Sequence, residues 1–579
     1  MNPANRTIKK ILYSIANSCF VLTCLRDCCS FNRKIKNVKE TQEKLLLGII
    51  KRNSRACFGK KHNFSSIRSV SDFKSQVPIS TFDSYAPYIN LILEGEKNVL
   101  TKECVLFLQP SSGSVAASKF IPFTLNLRQE FLKGIRPWIF DLFTKRKKLL
   151  FGKTYCSVTP PGSNIKSAPG KFPVGFDDSE YLGFIEKLML QFLLAVPQEV
   201  SGISDIPNFR YVTLLFLLKE KDLRFISIWN PTFLSILLEN LLDWLPDLIR
   251  DIRSGTISRH LKVNQQIRQK IKKKLKRDES RARELEIIFK RNKNKSASTL
   301  YKEIWPALTL ISCWADGNSA HYVKDLENLL PHAEIQSKGL IATEAFVSFP
   351  LLGESGSILS INSHFFEFVQ TETLCDWEEN FIKETKLAHE LKQGGRYSVI
   401  VTTAGGLYRY HLQDIIEVVG FKEGCPLVRF MGKTDHVSDL MGEKLNAFYV
   451  EEVLKKAFKK NNISAGFFML APEQNEVNNY FYTLFIEQDG LSDEQLANLE
   501  NDIEKEFCKN FHYAYCRKLG QLNSVRVFSI DKNGMSPADL YLERQVSFGR
   551  KLGSVKPLIL DKNVGWSRIF EGKYTEVTQ

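Results

Sequence analysis

Residues Ser398–Asp414 read SVIVTTAGGLYRYHLQD. The run Ser398–Thr403 is rich in β-branched side chains, which suit a pleated strand. Ala404-Gly-Gly-Leu407 is a turn signal, and Tyr408–Val419 then continues extended. The second arm carries an acidic residue, Asp414, after two aromatics, Tyr408 and Tyr410. One carboxylate on such a strand can accept hydrogen bonds from both hydroxyls of a ribose. Upstream, the short apolar runs Val105–Leu108, Phe225–Trp229, Leu308–Cys313 and Gly339–Ala342 read as strands set between helical patterns. That alternation predicts an α/β class for the large N-terminal part. After Met431-Gly-Lys-Thr-Asp435 the pattern changes. Helical stretches (450–460, 493–507) and strands (466–470, 480–487, 524–530) follow in α+β order. The expected organisation is a large domain over 1–434 and a smaller, mobile domain over 436–579, with a hinge near Asp435.

Bulk properties narrow the function classes. A chain of 579 residues exceeds what one core usually supports. The 43% hydrophobic and 25% charged content fits a globular protein with ample core. Twelve cysteines occur without a CxxC pair or a Cys/His cluster at zinc spacing. Free thiols in a reducing cytoplasm are expected. The net charge of +16 is uneven, because Lys270–Arg277 reads KIKKKLKR and Lys290–Lys295 adds more. Residues 261–300 therefore read as a basic helical insertion with a solvated face. Without aromatic interleaving it predicts no specific nucleic-acid partner.

Residues 1–40 read as an N-terminal helix. No run reaches the ~18 uninterrupted apolar residues of a membrane span, so none is expected. Ile8, Ile11, Leu12, Ile15, Cys19 and Leu22 share one helical stripe, and this stripe is expected to pack on the body of the protein. Leu45, Leu46, Ile49 and Ile50 mark another helix over 41–58.

Four short constellations carry chemistry. Ser111-Ser-Gly-Ser-Val-Ala-Ala-Ser-Lys119 follows a strand, and its small residues let backbone N–H groups approach phosphate oxygens. It is not a Walker A loop, since GxxxxGK[ST] is absent. Thr343-Glu344 closes an apolar run, and its carboxylate could hold Mg²⁺. Gly406–Asp414 is the third. Gly432-Lys433-Thr434-Asp435, followed by Gly442-Glu443-Lys444, is the fourth. Each taken alone is better read as an ordinary loop, strand end or edge strand.

Their order and spacing, with the strings QEKLLLGIIKRN, SCWADGNSAHY, SHFFEF, TTAGGLYRYHLQD and VSDLMGEKL, resemble the adenylate-forming superfamily. More narrowly, they resemble the auxin-responsive acyl-acid–amido synthetases in their bacterial branch. The resemblance runs from about Gln42 to Leu560. It implies ATP-dependent adenylation of a small carboxylic acid, then acyl transfer to an amine such as an amino acid, with Mg²⁺ as the metal. It implies that Ser111, Ser112, Gly113, Ser114 and Lys119 hold the triphosphate. Thr343 and Glu344 would sit beside nucleotide and Mg²⁺, with Glu344 as metal ligand. Asp414 would bind the ribose, Lys433 would lie near it, and Lys444 and Lys556 would serve adenylation. A cytoplasmic monomer is expected.

The sequence also departs from the family pattern. Val115-Ala116, Ala345 and Gln413 stand where small or glycine residues are usual, and Lys433 replaces an arginine. Two alternatives follow: a catalytically impaired nucleotide- or acid-binding protein on the same fold, or a ligase with a thiol acceptor.

Overall fold

The computed structural model describes residues 3–111, 119–157, 191–258, 261–317, 320–371, 384–433, 437–438, 440–441, 443, 445–474, 480–488, 490–531, 535–548, 555 and 558–575. Its contacts divide the chain into two compact units. The first holds Met1–Leu412 and Ile416–Phe430; the second holds Gln413–Ile415 and Met431–Phe548 with the C-terminal residues from Val555. The expected hinge residue, Asp435, lies outside the described residues.

The first unit opens with helices α1 (Pro3–Lys34), α2 (Val38–Asn53), α3 (Cys57–Lys61), α4 (Val70–Gln76) and α5 (Phe82–Leu93). A hairpin of β1 (Phe107–Ser111) and β2 (Lys119–Phe123) follows, then α6 (Leu125–Lys145). Local chemistry sets several starts. Ser69 and Asp72 form a reciprocal capping box at α4. The Thr124 hydroxyl accepts from Leu127 N at the head of α6.

Helix α1 packs through Tyr13, Phe20, Cys24 and Phe31, all buried. The Asn17 side-chain amide donates to the carbonyls of Leu150 and Gly152. Arg136 on α6 reaches Asp27 at 2.7 Å. The stripe expected to pack on the body points the other way: Ile8 is 55% exposed, Ile15 56% and Leu22 64%. The helix is apolar on two opposite faces, so stripe spacing alone did not identify the docking face. The continuous helical run Thr7–Asn53 also has the length and apolarity of a membrane span, with only 28% of its most apolar window buried. It is the single such run among the described residues.

A four-stranded sheet follows: β3 (Lys153–Cys156), β4 (Leu223–Ser227), β5 (Leu310–Cys313) and β6 (Glu334–Ser337), all parallel and in that order. Strand β5 is buried along its whole length, as parallel strands covered on both faces tend to be. The larger sheet contains β7 (Ser348–Pro350), β8 (Ser357–Leu359), β9 (Phe365–Gln370), β10 (Lys386–Leu387), β11 (Arg396–Thr402), β12 (Tyr410–Lys422) and β13 (Cys425–Lys433). Its order is β10-β9-β11-β12-β13-β8-β7. One apolar core joins α2, α6 and the strands of this sheet.

Two strand expectations are corrected. The strand before the serine-rich loop begins at Phe107, two residues after Val105. Gly339–Ala342 is not a strand, because Gly339 takes a left-handed φ of +73° and the chain turns, with Ala342 N donating to Ala345 O. The basic segment forms helices Gln265–Lys274 and Glu279–Asn292. Lys272, Lys273 and Lys274 are exposed, while Ile271, Leu275 and Arg281 are buried. The Arg281 guanidinium caps the carbonyls of Leu218 and Ile304, so this segment is docked along one edge.

The second unit contains the short pair β14 (Val437–Ser438) and β15 (Leu445–Asn446), and a mixed sheet of β16 (Phe467–Gln474), β17 (Tyr480–Glu487), β18 (Arg526–Ile530) and β19 (Gly572–Tyr574). Helices Ala447–Lys460 and Asp493–Phe507 share one core with this sheet, built around Leu454, Leu470, Leu484 and Leu499. Phe467, Phe485, Tyr541 and Trp566 belong to a second core.

The turn between β11 and β12 leaves no room for a side chain at Gly406. Its φ is +98°, and a Cβ would lie 2.6 Å from the Cβ of Leu100. Gly406→Ala should cost about 2 kcal/mol or more. An unchanged urea midpoint would refute this.

Candidate active site

The serine-rich loop is held at its two ends. Strands β1 and β2 pair antiparallel from Phe107↔Phe123 to Ser111↔Lys119. The Phe107 and Phe123 rings stack at 4.6 Å. Lys119 places its Nζ over the Phe82 ring at 5.8 Å. Ser112, Gly113 and Ser114, with Val115 and Ala116, lie outside the described residues. Only the frame of the expected phosphate loop is therefore described.

Thr343 and Glu344 occupy the tip of the Ala342–Ala345 turn, where Glu344 is 8% exposed. The next residue, Phe346, donates its N–H to His364 Nε2 at 3.0 Å. That nitrogen is thus the acceptor, and Nδ1–H donates to Glu130 Oε2 at 2.9 Å. The same oxygen accepts from Ala404 N. One buried Glu–His pair therefore ties the Thr-Glu turn to the start of the Ala404-Gly-Gly-Leu407 turn. Ala345 is fully buried and has no positive φ, so its methyl in place of hydrogen costs the backbone nothing.

Arg409, inside the YRY string, is structural. Its guanidinium forms a bidentate pair with Glu367, with Nε and Nη2 at 3.0 and 2.9 Å. Its Nη1 donates to the carbonyls of Lys74 and Val77. Glu367 is the acidic residue of SHFFEF, so two strings that lie far apart in sequence meet in one buried ion pair.

Asp414 is 2% exposed and lies 3.0 Å from Lys433 Nζ. These two residues belong to β12 and β13, neighbours in the sheet. Asp414 follows Gln413, whose φ is +64°. Where the family pattern has glycine, this chain holds a glutamine in the left-handed region, at a cost of about 1 kcal/mol. The two departures thus differ physically: Ala345 is neutral for the backbone and Gln413 is strained. Lys444 and Lys556 lie outside the described residues. Glu443, beside Lys444, is buried and accepts from Leu440 N, Met441 N and the Tyr482 hydroxyl.

A further cluster sits at the carboxyl ends of the parallel strands, and sequence reasoning assigned it no role. Lys338, just past β6, is buried between the rings of Trp138 and Trp229, at 5.3 and 5.0 Å. It donates to Ser227 Oγ at 2.6 Å. Trp314, after β5, lies 5.6 Å from Trp229. Asp316 accepts from Ser337 Oγ at 2.7 Å, and burial raises its carboxyl above the ordinary aspartate value. The SCWADG string contains Trp314 and Asp316 and was the available signal. Lys338 and Trp229 had none.

Two outcomes are expected. Gln413→Gly should raise the urea midpoint slightly, by at most roughly 0.5 kcal/mol after the entropy of the freer unfolded chain is subtracted. A lowered midpoint would mean that the glutamine side chain contributes more than its backbone costs. Arg409→Lys should destabilise by about 3 kcal/mol, because lysine cannot reproduce the fork and leaves Glu367 buried with less compensation. A loss under 1 kcal/mol would show that the pair is dispensable.

Comparison with known proteins places this arrangement. The GH3 family N-terminal domain matches residues 29–335, and the GH3 family central domain matches residues 357–433. A rice protein (Oryza sativa subsp. japonica) named "Probable indole-3-acetic acid-amido synthetase GH3.11" is 25% identical over 558 residues, covering 90% of this chain and 91% of its own. The Arabidopsis thaliana indole-3-acetic acid-amido synthetase GH3.15 is 24% identical over 450 residues, 72% of this chain and 71% of its own. The solved structure of AtGH3.15 acyl acid amido synthetase in complex with 2,4-DB superposes with a TM-score of 0.77 at 20% identity, covering 93% of this chain and 94% of its own. The chain belongs to the GH3 family of acyl-acid amido synthetases.

Proposed function

We propose that this protein activates a small carboxylic acid with ATP and joins it to the amino group of an amino acid. In the first step a carboxylate oxygen attacks the α-phosphorus, the bond to the β-phosphate oxygen breaks, and pyrophosphate leaves. In the second step the amine nitrogen attacks the acyl carbon, the acyl–phosphate bond breaks, AMP leaves with the electron pair, and the amine gives up a proton. The observation that carries the reading is Asp414, a buried carboxylate paired with Lys433 next to a left-handed residue. A ribose diol can supply two donors to such a carboxylate.

The triphosphate is assigned to the β1–β2 loop with Ser111, Ser112, Gly113, Ser114 and Lys119. Thr343 and Glu344 face the nucleotide. Among the described residues no three metal-ligating side chains cluster. Mg²⁺ is typically held by one or two carboxylates plus substrate phosphates. Glu344 would supply the carboxylate, and the ion would neutralise charge on the phosphates. Lys444 and Lys556 are assigned to the α-phosphate during adenylation. The acid is assigned to the cluster of Trp229, Trp314 and Lys338, because ligands of open parallel sheets gather at the carboxyl ends of the strands.

The test is ATP–pyrophosphate exchange over aliphatic, aromatic and indolic acids, followed by amino-acid acceptors. Acid-dependent exchange and amide product are expected. Nucleotide binding without exchange would replace the enzyme by a binding protein, and thioester in place of amide would change the acceptor. Asp414→Ala should weaken ATP binding by about 1.5–3 kcal/mol; unchanged calorimetric affinity removes the assignment. Trp314→Ala should raise KM for the acid about tenfold while leaving KM for ATP nearly unchanged, and an equal effect on both would place the acid elsewhere.

A further inference from the structure

Among the described residues, the outward face of α1 has no partner. Ile8, Ile11, Leu12, Ile15, Leu22 and Leu25 are between 41% and 64% exposed. At about 100° per residue they share one face of the helix, an arc of about 140°, about 25 Å long from Ile8 to Leu25. The opposite face is fixed to the body by Asn17, Phe20 and the Arg136–Asp27 pair. A helix held along one side in this way can lie on a surface but is not free to cross one. Several large apolar side chains exposed on one helix face are uncommon on a soluble monomer and mark an interaction site.

Charge decides between the possible occupants. The α1 sequence carries Arg6, Lys9, Lys10, Arg26, Arg33 and Lys34 against the single acid Asp27. Arg26 and Arg33 are exposed and continue the apolar line toward the C-terminal end of the helix, and exposed Lys9 flanks it. A second copy would bring the same basic helix, on another chain of net charge +16, against this one. An anionic lipid surface complements both the apolar line and its basic end. We infer that α1 is an interfacial helix that docks the protein, without spanning, on bilayers rich in acidic phospholipid. Apolar side chains would enter the headgroup–acyl boundary, and each arginine near the surface would add roughly fivefold to partitioning.

The experiment uses the full chain and vesicles of phosphatidylcholine alone, or of three parts phosphatidylcholine to one part phosphatidylserine. Co-sedimentation is expected with the anionic vesicles, weakening as sodium chloride is raised. The variant Ile8→Ser/Ile11→Ser/Ile15→Ser should lower binding at least tenfold, as should Arg26→Gln/Arg33→Gln. All these side chains are exposed, so the thermal midpoint should hold in both variants. Absence of binding to anionic vesicles overturns the proposal. Binding that neither variant reduces also overturns it, and moves the contact to another basic surface such as Lys272–Lys274. A dimer in sedimentation velocity that the triple serine variant converts to monomer, with no vesicle binding, assigns the face to a second copy and equally overturns it.

Discussion

The Arg409–Glu367 pair is the constraint on which much of the first unit depends. A guanidinium in a protein interior cannot shed its charge, so the fold must satisfy it or lose several kcal/mol. Here the fork meets a carboxylate on β9 while its remaining donors reach two carbonyls at the end of α4. Satisfying one side chain therefore fixes three segments at once. It also holds Arg409 at a φ of +48°, an uncommon conformation that surrounding contacts must enforce. The start of β12 is set by this residue.

The Glu130–His364 pair has a similar role one layer away. Its carboxylate oxygen serves both the imidazole and Ala404 N, and the imidazole serves Phe346 N. The turn that carries the proposed Thr343–Glu344 contacts and the turn that leads into β12 are thereby positioned by the same rigid link from α6. Such support from behind keeps contacting groups in place before any ligand arrives.

Much of this was legible in sequence, for physical reasons that differ by element. Helix Asp493–Phe507 and strand Tyr480–Glu487 appear with the expected bounds, because single-period apolar patterns flanked by caps leave little ambiguity. The strings SHFFEF and TTAGGLYRYHLQD pointed to the family, but nothing in either says that Glu367 and Arg409 touch. Pairing over 42 residues is a property of the sheet order. Gly339 misled because an apolar run reads as a strand unless its φ is known. Helix α1 misled for another reason: two apolar faces about half a turn apart leave spacing unable to say which one is inside. The Trp229–Lys338–Trp138 cluster was invisible because its members come from separate elements.

The two-faced character of α1 has a consequence during synthesis. Its docking surface is built from α6 and the carbonyls of Leu150 and Gly152, which are translated more than a hundred residues later. At usual elongation rates the helix waits on the order of ten seconds with both greasy sides uncovered. Over that interval the nascent chain offers an adhesive to whatever is near the ribosome. Chaperone capture, or early contact with a lipid surface, therefore competes with folding at this segment until α6 has been made.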